Sequence, residues 1–298
     1  MQDQPGGHTG FGSRIAGAPI SWGVCEVPGW GHQLAPDRVL TEMRSLGLGA
    51  TEFGPDGFLA DDPEAKARQL ESYGLTAVGG FLPIVLHDPS HDPLPEADRF
   101  IDSCLAAGAQ VMVLAASTGI DGYDDRPALD ELGWKTVVNS LDRIADHAQE
   151  CGVTAALHPH VGTLIETGDE VDRLMRESRV GLCLDTGHLA VGGSDPVAVS
   201  ATYADRVTHV HLKDVDMALA GRVMSGDLAF GAAVKAGMFR PLGVGDVDVA
   251  ALVSTLDAAG YSGWYVLEQD VMLDLAPEGA GPVANVRISL DYLSGVLG

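Results

Sequence analysis

Short runs of apolar, often β-branched residues alternate with amphipathic stretches along almost the whole chain. The runs predict strands over residues 15–20, 50–53, 76–80, 111–115, 153–158, 181–185, 207–212 and 264–268. Most are continuously apolar rather than alternating, as expected of strands buried on both faces. The intervening stretches place apolar residues at helical spacing and predict helices over 36–46, 63–73, 93–107, 134–150, 169–176, 196–203, 247–259 and 282–293. Asp62-Pro63 and Asp195-Pro196 each set a capping acid before a proline at the first helical position. Glycine follows several helix ends, as in Leu46-Gly47 and Ala107-Gly108.

Eight strand–helix units in one chain predict an α/β fold, a single-domain (β/α)8 barrel over residues 15–298, after a flexible lead-in over 1–14. The competing architecture, an open doubly wound sheet, usually carries a glycine-rich turn after its first strand. Here that strand runs into SWGVCE, with no GxGxxG. One segment breaks the rhythm: residues 216–246 form a long insertion after the seventh strand. On a barrel it would lie on the C-terminal rim, where it is expected to act as a lid.

Composition narrows the function classes. The 298 residues are 46% hydrophobic, ample for one barrel-sized core. No apolar stretch approaches the roughly 18 residues of a membrane span, and the N-terminus lacks the pattern of a signal peptide, so a cytoplasmic protein is expected. The four cysteines are scattered, without a CxxC, which predicts reduced and mostly buried thiols. The net charge of -24 argues against nucleic-acid and membrane partners, and against a highly phosphorylated substrate unless a local basic pocket exists. A small-molecule partner remains; a homo-oligomer stays open.

Candidate chemistry lies where the apolar runs end. AALHPH finishes on His158 and His160, GLCLDTGH on Asp185 and His188, VTHVHLKD on His209, His211 and Lys213, and WYVLE on Glu268. In a closed parallel barrel these ends converge on one rim. An aspartate closing a buried run is costly unless it pairs or binds a cation. His209 and His211 alternate on one strand face, and His211 is nearer the rim. Asp185, His211 and Glu268 would offer two carboxylates and an imidazole, a donor set that suits Mn, Co, Fe or Zn better than Ca. The fourth ligand is His158 or Glu166. His188, His160 and Lys213 are candidate proton carriers, as is Glu268. Glu52, His87, Trp22, Glu166 and His209 are candidate substrate contacts; His209 would alternatively orient a metal ligand.

Taken together, LHPHVGT, LDTGHLAVGG, HVHLKDV and GYSGWYVLEQD resemble the xylose-isomerase-like barrel superfamily. They are most similar to its inosose dehydratase and sugar phosphate isomerase/epimerase branch. APISWG, EFGPDGFL and the KAGMFRPLG segment fit the same group, and the resemblance runs from about Ile15 to Leu293. It implies a divalent metal, commonly Mn or Co, on Asp185, His211 and Glu268. Many superfamily members carry glutamate at the end of the fifth strand; His158 stands there in this chain. The implied activity is metal-assisted loss of water from a cyclic keto-polyol. The alternatives are an isomerase or epimerase using a carboxylate pair such as Glu268 and Glu166, a lyase on an oxidised glycoside, and a non-catalytic polyol-binding barrel.

Overall fold

A computed structural model describes residues 14–296. Of the expected lead-in, residues 1–13 lie outside the described residues. Arg14 is described, and its guanidinium reaches Asp257 and the carbonyls of Tyr261 and Gly263.

Eight parallel strands close into a barrel: β1 (Ile15–Gly17), β2 (Ala50–Glu52), β3 (Thr76–Val85), β4 (Val111–Ser117), β5 (Thr154–Leu157), β6 (Gly181–Asp185), β7 (Val207–Leu212) and, after the short β8 (Asp214–Val215) and β9 (Phe239–Arg240), β10 (Tyr265–Leu267). Closure is made by β1 on β10, Ile15 opposite Tyr265 and Gly17 opposite Leu267. The helices are α1 (Pro36–Ser45), α2 (Pro63–Ser72), α3 (Leu94–Ala107), α4 (Glu131–Glu150), α5 (Gly168–Glu177), α6 (Thr186–Val191), α7 (Pro196–Tyr203), α8 (Met217–Met224), α9 (Phe230–Lys235), α10 (Val249–Ala258) and α11 (Val283–Val296). The largest apolar cluster joins strands to the helix faces, with Leu114, Leu157, Leu184 and Val210 meeting Val137, Leu141, Leu174 and Leu252. None of the described helices is long and apolar enough to cross a membrane.

Departures from the expected boundaries have local causes. The first strand stops at Gly17 because Pro19 has no N–H for a ladder and begins a 3-10 turn, Pro19–Trp22. Helix α4 begins at Glu131, earlier than its apolar spacing indicates, because Asp130 caps it by accepting the Gly133 N–H. Strand β3 continues to Val85, paired to Ser117 of β4. Three short helices, α6, α8 and α9, lie where no helix is expected from the sequence. Two of them start on aspartate caps, Asp185 and Asp216.

Between β7 and α10 the chain leaves the barrel. β8 and β9 pair antiparallel and hold α8 and α9 between them. Buried Asp214 braces this excursion by accepting the backbone N–H groups of Val215, Gly243, Gly245 and Val247. Of the four cysteines, all free, Cys104 and Cys183 are buried while Cys25 and Cys151 are half-buried.

Candidate active site

The strand ends converge as the barrel requires. One nitrogen each from His158 and His211 and one oxygen each from Asp185 and Glu268 lie within 4.8 Å of one another. His158 Nε2 is 3.4 Å from Asp185 Oδ2, and His211 Nδ1 is 3.5 Å from the same oxygen. Asp185 divides its work. Its Oδ1 caps α6 by accepting the N–H groups of Gly187 and His188, each at 2.8 Å, which leaves Oδ2 facing the histidines. The capping and ligand readings of this residue are therefore compatible. Gly187 is required by close approach: a Cβ there would sit 2.6 Å from the Lys213 Cβ, so only glycine lets the turn pass the end of β7. Thr186 stitches the same corner, donating to the Lys213 carbonyl and accepting from its N–H.

Both quartet histidines are oriented from behind. His158 Nδ1 donates to the Pro159 carbonyl at 2.8 Å, which leaves Nε2 as an unprotonated donor toward the centre. His211 Nε2 donates to Glu52 Oε1 at 3.0 Å, and His209 Nε2 donates to the same oxygen at 2.8 Å. Carboxylate–histidine–metal relays have this form. With Nε2 so committed, His211 Nδ1 turns a lone pair toward Glu268 Oε2, 2.5 Å away and without hydrogen-bond geometry. Two acceptors that close demand a proton or a cation between them. Asp185 Oδ2, His211 Nδ1 and Glu268 Oε2 are all buried without a hydrogen-bond partner. A small cation satisfies all three, so the donor set fits a divalent metal.

Around the quartet stand groups that can move protons. Lys213 is 1% exposed, and its ammonium lies 2.9 Å from Asp270, 3.2 Å from Glu268 and 3.3 Å from Asp185. Burial alone would push this ammonium down, but the three carboxylates outweigh it and hold its pKa well above the usual lysine value. Burial raises Asp270 to about 6 against the pull of Lys213. Burial, reinforced by His158 and Lys213, holds His160 well below the ordinary histidine value. His160 Nδ1 donates to the Val161 carbonyl, so its Nε2 is free to accept. His188 stacks on His160 with ring centroids 3.7 Å apart. Its Nδ1 accepts the Val161 N–H, which puts its own proton on Nε2, 3.8 Å from Asp270.

His158, His160, Lys213, Glu268 and Asp270 form the floor of a cavity of about 470 Å³, while Asp185, His211 and His188 are fully buried outside its lining. Its walls near the quartet include Trp30, Phe81, Tyr123 and Phe230. Tyr123, from the loop after β4, lies 4.4 Å from the His160 ring and donates to Glu26. Gly162, at φ 76°, makes room for it: a Cβ would fall 2.2 Å from the Tyr123 carbonyl oxygen.

Four of the sequence-derived substrate contacts are placed elsewhere. Trp22 is fully buried, its indole N–H donating to Glu42 of α1, because the 3-10 turn points it away from the barrel mouth. The aromatic wall on that side is Trp30. His87 stays outside the cavity lining because the longer β3 carries it past the rim. His209 lies below the floor, held on Glu52. Glu166 accepts from the Gly162 N–H and pairs with Arg126 at 3.2 Å, so it joins neither the cavity lining nor the quartet. His158 occupies the fourth position, and Glu52 reaches the cavity from behind His211. Asp270 has no role in the sequence reading. Its signal is positional: it stands two residues beyond Glu268, the same side of an extended chain.

Residues 40–293 match the family model described as a xylose isomerase-like TIM barrel. The chain is 33% identical to an inosose dehydratase of Geobacillus kaustophilus (strain HTA426) over 293 residues, covering 94% of this chain and 93% of the relative. It is 36% identical to the rhizopine catabolism protein MocC of Rhizobium meliloti over 303 residues, covering 98% and 91%. Among solved structures it is similar to the IOLI protein with a bound zinc atom, at TM-score 0.67 and 16% identity, covering 95% of this chain and 98% of that one.

Proposed function

The chain belongs to the xylose isomerase-like TIM barrel family, and from that premise we propose that it is a divalent-metal-dependent dehydratase that removes water from a cyclic keto-polyol, an inosose. The observation that carries the reading is the buried quartet of His158, Asp185, His211 and Glu268, which meets a cavity roomy enough for a polyol through His158 and Glu268, with a free imidazole nitrogen and an ammonium beside it. The name of the 33% identical relative supports the same activity. His158, Asp185, His211 and Glu268 would hold the cation, which would supply Lewis-acid polarisation of the ketone and so acidify the neighbouring C–H. Manganese or cobalt is the ion we assign, on the mixed oxygen and nitrogen donor set.

The protein's own residues then divide the elimination. His160 Nε2 takes the proton from the carbon next to the ketone, its tautomer fixed by the Val161 carbonyl. Lys213, braced by Asp270, donates to the hydroxyl on the following carbon. One C–H and one C–O bond break, the electron pair becomes the new C=C, and the hydroxyl leaves as water. His188 backs the His160 ring and restricts its movement. The epimerase reading needs a second base facing the first. Its expected partner, Glu166, is engaged by Arg126 away from the cavity, so the geometry favours elimination.

The test is to strip the metal, reload the protein with Mn, Co, Fe or Zn in turn, and follow enone absorbance with 2-keto-myo-inositol. Turnover should depend on the metal and vanish in Asp185→Ala. No enone with any ion would end the assignment, and solvent deuterium entering a recovered ketose without loss of water would move it to an isomerase. Full activity in Asp185→Ala would overturn the metal site.

A further inference from the structure

The cavity is larger than an inosose requires. A six-carbon keto-polyol displaces roughly 200 Å³, six or seven waters at the ~30 Å³ each occupies in the liquid, against about 470 Å³ available. The surplus is chemically distinct from the floor. Away from the quartet, the lining includes Phe53 just after β2, Asp61 in the turn before α2, Lys66 of α2, and Glu96, Arg99, Phe100 and Ser103 of α3. Phe53 and Phe100 pack edge to face at 5.8 Å and form an apolar wall. The Lys66 ammonium lies 5.1 Å from the Phe53 ring centre and donates to Ser103 Oγ at 3.2 Å. No carboxylate among the described residues lies within 4.0 Å of it. An ammonium has three N–H donors; the structure supplies one oxygen and a ring face.

We propose that this arm is a second subsite, and that the preferred substrate is a keto-polyol carrying an O-linked sugar ring, which the arm binds. The proposal rests on the dehydratase reading for what occupies the floor. The charges choose a neutral substituent over a phosphate: Asp61 and Glu96 line the arm beside Lys66 and Arg99, and a dianion would meet both acids. A sugar uses both signs, its oxygens accepting from Lys66 and Arg99 and its hydroxyls donating to Asp61 and Glu96. Its C–H face covers half-buried Phe100, which the buried Phe53 ring backs, and a ring of that size fills the volume that an inosose leaves empty.

Binding measured without turnover separates this proposal from the dehydratase assignment. Calorimetry on the metal-loaded full chain compares myo-inositol with an O-glucosyl inositol. Donation from Lys66 and stacking on Phe100 should make the glucosylated compound bind about tenfold more tightly, the value of one charge-assisted hydrogen bond. In Lys66→Met the two dissociation constants should converge. Equal or weaker binding of the glucosylated compound to the unaltered protein overturns the second subsite, as does a preference that survives Lys66→Met, and so does binding of neither. The enone assay on unsubstituted 2-keto-myo-inositol tests dehydration independently of all three outcomes.

Discussion

Glu52→Gln should weaken metal binding although Glu52 is not among the quartet. Its Oε1 receives the N–H groups of both His209, at 2.8 Å, and His211, at 3.0 Å, and the carboxylate is 4% exposed. The amide keeps an oxygen in place but removes the charge. A charge-assisted hydrogen bond is roughly twice as strong as a neutral one, so each contact loses about 0.5–1.5 kcal/mol. The His211 share falls on the basicity and orientation of Nδ1, the quartet atom. Loss of a carboxylate behind a metal-bound histidine typically costs about tenfold to a hundredfold in affinity, and we expect that range here. The assay is competition of the apo-protein against a chromogenic chelator, with circular dichroism as the control for folding. Unchanged affinity in a folded Glu52→Gln protein would refute the relay from Glu52 through His211. A loss confined to substrate binding would return Glu52 to the role its sequence position suggests.

Trp22→Phe should lower stability by about 2–3 kcal/mol, from the cavity and the lost bond to Glu42, and leave KM unchanged because Trp22 does not line the cavity; thermal unfolding and steady-state kinetics check both parts. Gly162→Ala places a methyl against the Tyr123 carbonyl at a left-handed φ, so it should cost about 1–3 kcal/mol, and displacing Tyr123 from the His160 ring should lower kcat. Glu170 caps α5, accepting the N–H groups of Glu166 and Thr167 and pairing with Arg126. Burial would raise its pKa, but these partners outweigh it and hold the group below its usual value. A depressed carboxyl contributes stability above the unfolded pKa and loses it as pH falls through the folded one. Wild type should therefore exceed Glu170→Gln by about 1 kcal/mol near neutrality, a modest sum because the pair is partly exposed. The two melting temperatures should begin to approach each other as pH falls through the ordinary glutamate range, about 4.3, and converge only below the lower folded value.

Much of the barrel was legible in the sequence because its signal is local. Parallel strands buried on both faces read as unbroken apolar runs, and eight of them separated by helical periodicity leave few other ways to close a sheet. The same logic exposed the metal candidates. A strand of known direction in a closed barrel must deliver its last inward residue to one rim, so Asp185, His211 and Glu268 meet without any knowledge of loops, with His158 or Glu166 left to join them. Tertiary structure decided what periodicity does not encode. The choice between His158 and Glu166 depended on Arg126, forty residues upstream of Glu166, drawing that carboxylate outward. Trp22 and Trp30 are equally aromatic in sequence; a proline-started turn buries one and leaves the other on the cavity wall. Glu52 and His209 became a brace only when β2 and β7 faced each other across the barrel. Asp270 acquired a partner only where the chain leaving β10 passes Lys213. Fold class and the convergence of Asp185, His211 and Glu268 follow from patterns within single strands, whereas the fourth member of the quartet, the supporting shell and the cavity walls depend on side chains from distant segments, whose meeting no local pattern specifies.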